Sequence, residues 1–190
     1  MYAQDLKKYY VSSIQPAGIL YFILPQTNFT NPASHTGFSM DVTYLDSGDS
    51  ATVNFTYSDP ANIELRSITF AYLEWGYRAP VKRIYIDTNK NLWVYRYTFA
   101  IPFRDLSLFY RTKEPQITLT TDSGAIPLKA EKAQWKKNAD ISGRIIGMIG
   151  KTLRKQSTVP DFPRSFKYRK PVSLARADIL VYTKRNEKNR

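Results

Sequence analysis

Between residues 38 and 57 apolar and polar side chains alternate almost without a break. FSMDVTYL places Phe38, Met40, Val42 and Tyr44 on one side, and Ser39, Asp41 and Thr43 on the other. ATVNFTY does the same with Ala51, Val53, Phe55 and Tyr57 against Thr52, Asn54 and Thr56. A period of two follows the pleat of a β-strand and is incompatible with a helix turning every 3.6 residues. Each segment therefore reads as a strand with one buried face and one wet face. DSGDS (46–50) between them is rich in turn formers. The spacing predicts an antiparallel hairpin over 38–57 that buries Phe38, Met40, Val42, Val53 and Phe55.

The same signal recurs along the first two thirds of the chain. In IELRSITFAYLEW (63–75) the apolar phase switches between Leu65 and Ile68, which predicts a bulge or a break between two strands. KRIYIDTNKNLWVYRYTFAIPF (82–103) is a second hairpin candidate, with a polar turn at 87–91. Its Trp93, Tyr95, Tyr97 and Phe99 share a face, opposite Leu92, Val94, Arg96 and Thr98. Because Arg96 is the residue hardest to bury, the aromatic face is expected to be the core face. PQITLTTDSGAIPLKA (115–130) is a third hairpin turning at 122–124, and Pro127 limits its second arm to an edge. GILYFILP (18–25) reads as a buried strand, far short of the roughly 18 apolar residues of a membrane span. Twelve of the fourteen tyrosines precede residue 129, and no strand–helix rhythm of a parallel sheet is present. The expected fold is mainly β: an antiparallel β-sandwich or partly open barrel, with one C-terminal amphipathic helix and an extended basic tail.

Beyond residue 130 the period changes. Ile141, Ile145, Met148, Ile149, Thr152 and Leu153 form a stripe at helical spacing, with Arg144, Lys151 and Lys155 on another face. This predicts a helix over about 136–155, with Asn138 or Asp140 as N-cap. Gly143, Gly147 and Gly150 each cost about 1 kcal/mol relative to alanine inside a helix, so packing must hold it. Their spacing also permits close approach of another backbone. QSTVPDFPRSFKYRKP (156–171), with three prolines, reads as an extended linker, and ADILVYTK (177–184) as a short last strand on this sheet or a partner's. The chain thus divides into a β domain (1–130), a helix packed on it (131–156) and a basic, proline-containing extension (157–190).

Charge divides along the same line. Residues 1–128 carry eleven Lys/Arg and eleven Asp/Glu. Residues 129–190 carry the other 17 basic and 5 acidic side chains, so the whole net +12 belongs to the last third. Such asymmetry points to an anionic partner. SFKYRKP (165–171), where Phe166 and Tyr168 alternate with Lys167, Arg169 and Lys170, suits an acidic protein, an anionic envelope polymer or nucleic acid. The expected partner-binding set is Lys151, Arg154, Lys155, Arg164, Phe166, Lys167, Tyr168, Arg169, Lys170 and Arg176. Without a nucleic-acid-binding motif, an acidic protein or envelope surface is the leading reading, and a nucleic-acid module the alternative. A third is a carbohydrate-binding sandwich using exposed Trp75, Tyr77 or Trp93. The opening MYAQDLKK resembles the remainder of a cleaved export signal, which favours an exported protein.

Several motifs lead to no catalytic residue, cofactor or metal site. Gly150-Lys151-Thr152 looks like a phosphate-binding loop, but that loop needs a glycine where Ile145 stands. Asp87, Asn89 and Asn91 match the first oxygen ligands of a calcium loop, yet its glycine and bidentate glutamate are replaced by Leu92 and Thr98. With no cysteine there is no disulfide or thiolate chemistry. His35 is the single histidine and sits in a loop, NFTNPASHTGF. Carboxylate pairs such as Asp46 with Asp49, or Glu64 with Glu74, read as solvated turn and strand residues. A non-enzymatic binding or assembly protein is the expectation.

Overall fold

A computed structural model describes residues 6–72 and 75–156, with side chains through Gly150 apart from Tyr72 and Trp75. A short 3-10 turn, Leu6–Lys8, leads into β1 (Tyr10–Gln15), β2 (Gly18–Thr30), β3 (Gly37–Leu45), β4 (Ser50–Asp59) and β5 (Leu65–Tyr72). Then come β6 (Trp75–Pro80), β7 (Lys82–Asn89), β8 (Leu92–Pro102), helix α1 (Phe103–Tyr110), β9 (Gln116–Thr121), β10 (Gly124–Ala130) and helix α2 (Lys132–Gln156). The ten strands form one antiparallel sheet in the order β6-β5-β9-β10-β2-β3-β4-β8-β7, with β1 beside β2. The sheet curls until Tyr77 Oη on β6 donates to the Ala100 carbonyl on β8 at 3.0 Å. The result is a nearly closed barrel rather than two separate sheets. β7 lies beyond the closure as an edge strand, exposed along its whole length.

The three predicted hairpins are present. β3 and β4 pair Phe38 with Tyr57 and Val42 with Val53, and the five side chains expected in the core are at most 2% exposed. β7 and β8 turn through Lys90 and Asn91, whose φ values of 48° and 65° make a two-residue turn of the left-handed type that fits strand twist. β9 and β10 turn at 122–123. β10 pairs with β9 over 124–128 and with β2 only at Lys129 and Ala130. Pro127 therefore lies where one side of the strand has no neighbour, as its missing N–H requires. The phase switch near Leu65 is a register shift between Leu65 and Ser67 in the β5–β9 pairing.

Aromatic side chains fill the interior. Phe29, Phe38, Phe55, Tyr97, Phe99, Phe70 and Phe109 form a chain of ring contacts with centroids 4.5–6.2 Å apart. Tyr95, Tyr97 and Phe99 of β8 are buried and Trp93 half-buried against them, so the aromatic face points inward. Tyrosine rather than phenylalanine is used where the interior meets a loop. Tyr95 Oη accepts from the Ile63 N–H at 2.8 Å, and Tyr97 Oη from the Leu65 N–H at 3.2 Å. Tyr57 Oη accepts from Asn31 Nδ2 and donates to Asp59 Oδ2 at 2.6 Å. Burial, reinforced by the Asp59 bond, pushes the Tyr57 hydroxyl up to about 12. A folded-state value above the unfolded 10 means stability that is complete below pH 10 and lost as pH rises through about 12. Denaturant titrations across alkaline pH are expected to show that loss, with tyrosine ionisation at 295 nm appearing together with unfolding. Ionisation of the buried tyrosines near pH 10 without unfolding would contradict it.

The structure departs from the sequence expectations at several points. GILYFILP is not buried throughout: Tyr21 and Ile23 of β2 are, while Leu20, Phe22 and Leu24 are half-buried on the other face, and β1 was not foreseen. α1, with Leu106, Phe109 and Tyr110 buried, was also not foreseen. Finally, α2 begins at Lys132, so neither Asn138 nor Asp140 caps it. The early start follows from tertiary contacts. Trp135 packs on Phe29, Phe109 and Tyr110, and its amide donates to the Glu131 carbonyl at 2.7 Å. Asn138 is buried, with Nδ2 donating to Asn28 Oδ1 at 2.6 Å. Ile141, Ile145 and Ile149 are buried as the stripe predicts, and α2 packs on β2 and α1.

Candidate functional site

The segment after α1, Arg111-Thr112-Lys113-Glu114, contains no regular structure yet is firmly held. Thr112 N–H donates to the Phe109 carbonyl at 3.0 Å and its hydroxyl to the Leu108 carbonyl at 3.1 Å. Trp135 Nε1 of α2 donates to the buried Thr112 carbonyl at 2.8 Å, and the Trp135 ring stacks on Tyr110 at 5.7 Å and 9°. The indole thus ties the loop to the helix from below. Burial pushes the Tyr110 hydroxyl well above the usual tyrosine range, partly opposed by its bond to Ser142, so it remains a neutral part of this base.

Above the indole, the loop and the first turns of α2 bound an open groove of about 670 Å³. Its floor is Tyr110, Trp135, Ala139 and Gly143, and its rim carries Arg111, Lys113, Lys132, Lys136 and Arg144 against two acids, Glu114 and Asp140. All five cations are exposed. Of these five, only Arg144 has a carboxylate partner among the described residues, Asp140 at 3.9 Å. A smaller hollow of about 500 Å³ shares Lys113, Glu114, Lys132 and Trp135 and adds Lys129. The first turn of α2 itself contains no acidic residue, and Glu131 stands immediately before it. An apolar floor under a positive rim has the chemistry to take an anion that also presents something apolar.

The expected partner-binding residues stand differently. Lys151, Arg154 and Lys155 fall within the last turns of α2, whose side chains are not described, and Arg164, Phe166, Lys167, Tyr168, Arg169, Lys170 and Arg176 lie outside the described residues. The groove cations were missed as a group because Arg111 and Lys113 come from a loop, Lys132 precedes the expected helix and Lys136 stands at its very start. The four-residue spacing of Lys132, Lys136 and Asp140 was the available signal.

The other motifs resolve into structure. Gly150-Lys151-Thr152 lies inside α2, where backbone N–H groups are committed to the helix. Asp87 Oδ1 accepts from the Thr88 N–H at 2.7 Å, next to the hairpin turn. His35 is exposed in a loop, with φ 55° and its amide donating to the Asn31 carbonyl. Contrary to the expectation of a solvated turn residue, Asp46 is buried and accepts from the Ile19 N–H at 2.8 Å, whereas Asp49 is exposed and accepts from Ser50 Oγ. Glycine is required at Gly18, where φ is 142° and a Cβ would fall 2.2 Å from Asp46 Oδ1. Glu64 pairs with Arg83, while Glu74 lies outside the described residues. Tyr77 and Trp93 are half-buried against the core rather than standing out as a stacking platform, and the Trp75 side chain lies outside those described. No helix among the described residues is long and apolar enough to cross a membrane. No protein-family model matches the chain, and neither curated proteins nor solved structures contain a match to it.

Proposed function

We propose that this is a non-enzymatic binding or assembly protein whose basic C-terminal third contacts an acidic protein or an anionic envelope surface. The observation that carries this reading is the basic groove, where five exposed cations on a pinned loop and helix outnumber two acids. The helix that forms one wall belongs to the third of the chain holding the whole net +12. Nucleic acid is a weaker fit. The groove's one tryptophan, Trp135 in its floor, is only 3% exposed and offers little face for a base to stack on.

The test is a binding panel with the full chain and a 1–156 truncation against acidic peptide, anionic vesicles, envelope polysaccharide, RNA and DNA. The expected result is salt-sensitive binding to acidic peptide or envelope surface, weakened by truncation. Were nucleic acid the ligand, Lys167, Arg169, Lys170 and Arg176 alone would give a log–log salt slope of about −3. Absence of binding to every anionic ligand at low salt would contradict the reading.

A further inference from the structure

We infer that the groove between residues 111–114 and α2 is the seat of an acidic peptide segment of a protein partner, one that pairs carboxylates with an apolar side chain. This rests on the anionic-partner reading above and adds the place and the chemistry. Three features of the groove select the ligand. The rim cations Arg111, Lys132 and Lys136 have no carboxylate partner among the described residues, so their charge is available to a ligand. The floor is apolar, and at Gly143, which lines it, an added Cβ would meet no neighbouring described atom within 4 Å, so there is open space at that point. Glu114 and Asp140 interrupt the rim. A polymer with a negative charge at every repeat would lie against them, whereas a peptide can place its carboxylates selectively. Shape and charge together favour alternating acidic and leucine-like positions over a uniform polyanion.

The groove is already built in the free protein. The Trp135–Thr112 bond fixes the loop against α2 at 2.8 Å, so a ligand would incur little ordering cost in the protein. The volume of about 670 Å³ falls within the roughly 300–1,000 Å³ of established ligand sites.

The experiment uses the full chain and two synthetic probes, a short peptide of glutamates interspersed with leucines and an all-glutamate peptide of equal length. Three variants are compared. Lys132→Glu with Lys136→Glu reverses the rim, Gly143→Leu fills the floor, and Lys82→Glu with Lys90→Glu makes the same charge change on the distant β7 hairpin. The glutamate–leucine peptide is expected to bind more tightly than the all-glutamate one. Both groove variants are expected to weaken it at least about tenfold, while the hairpin variant changes it less than about twofold. Circular dichroism and melting temperature verify that each variant is folded. If both groove variants, folded, bind like the parent, the groove is not the seat. If the two peptides bind equally, the apolar part of the inference is wrong. Binding that depends on residues 157–190 but not on the groove would overturn this inference and leave the broader function standing. Failure of the full chain to bind either probe or any anionic ligand would remove both.

Discussion

Replacing Arg96 with methionine is expected to lower the unfolding free energy by about 3–5 kcal/mol. The reason lies in its partner. The Asp41 carboxylate is 0% exposed although it projects from the outer face of β3. Arg96 Nη2, reaching across from β8, donates to Asp41 Oδ2, and Asn54 Nδ2 donates to Oδ1 at 3.0 Å. Arg96 also donates to Thr56 Oγ1 at 3.1 Å, which fixes the guanidinium over the carboxylate. Without the guanidinium, a carboxylate out of contact with water retains, among the described residues, only the Asn54 amide. Removing one member of a buried pair costs far more than the pair contributes net, because the remaining charge stays desolvated. The double variant Asp41→Leu with Arg96→Met should therefore regain most of the loss. Equilibrium urea unfolding of the three variants checks both statements. A loss below about 1 kcal/mol for the single variant, the level of a solvent-exposed pair, would mean that Asp41 reaches water.

The second large effect has the opposite sign. Changing Gly143, Gly147 and Gly150 together to alanine is expected to raise stability by about 2–3 kcal/mol, near 1 kcal/mol for each. At all three positions an added Cβ meets no described atom outside the helix's own backbone within 4 Å, so the helix gains propensity and no described residue is displaced. The spacing that permits close backbone approach thus has no counterpart among the described residues. Thermal and urea unfolding measure the change. A net destabilisation would show that another segment packs on this face and needs the glycines.

These two effects also mark how far sequence reasoning reaches. Alternation identified the β3–β4 hairpin and its buried set because register along a strand is a local property. The reluctance of Arg96 to be buried correctly turned Tyr95, Tyr97 and Phe99 inward. The same alternation placed Asp41 on the wet face, and there it failed. Its burial depends on Arg96, which reaches it across β4 and is 55 residues away in sequence. Barrel closure was unreadable for the same reason, since it depends on β10 passing from β9 to β2 and on Tyr77 reaching Ala100. α1 is only eight residues long, too few for helical periodicity to stand out from strand ends. The early start of α2 is set by Trp135 packing on Phe29, Phe109 and Tyr110, a tertiary effect that no capping pattern records. The basic character of the site was legible as net charge. Its location was not, because the groove joins a loop after α1 to a helix about twenty residues later.

The most direct test is an amide chemical-shift titration of the full, isotope-labelled chain with the glutamate–leucine peptide. The predicted result is a set of salt-sensitive shifts concentrated at residues 111–114 and at Lys132, Lys136, Ala139 and Gly143, including the Trp135 indole N–H that holds the loop. Shifts confined to the β7–β8 hairpin, or none anywhere along residues 111–144, would contradict the assignment of the groove as the place where this protein meets its partner.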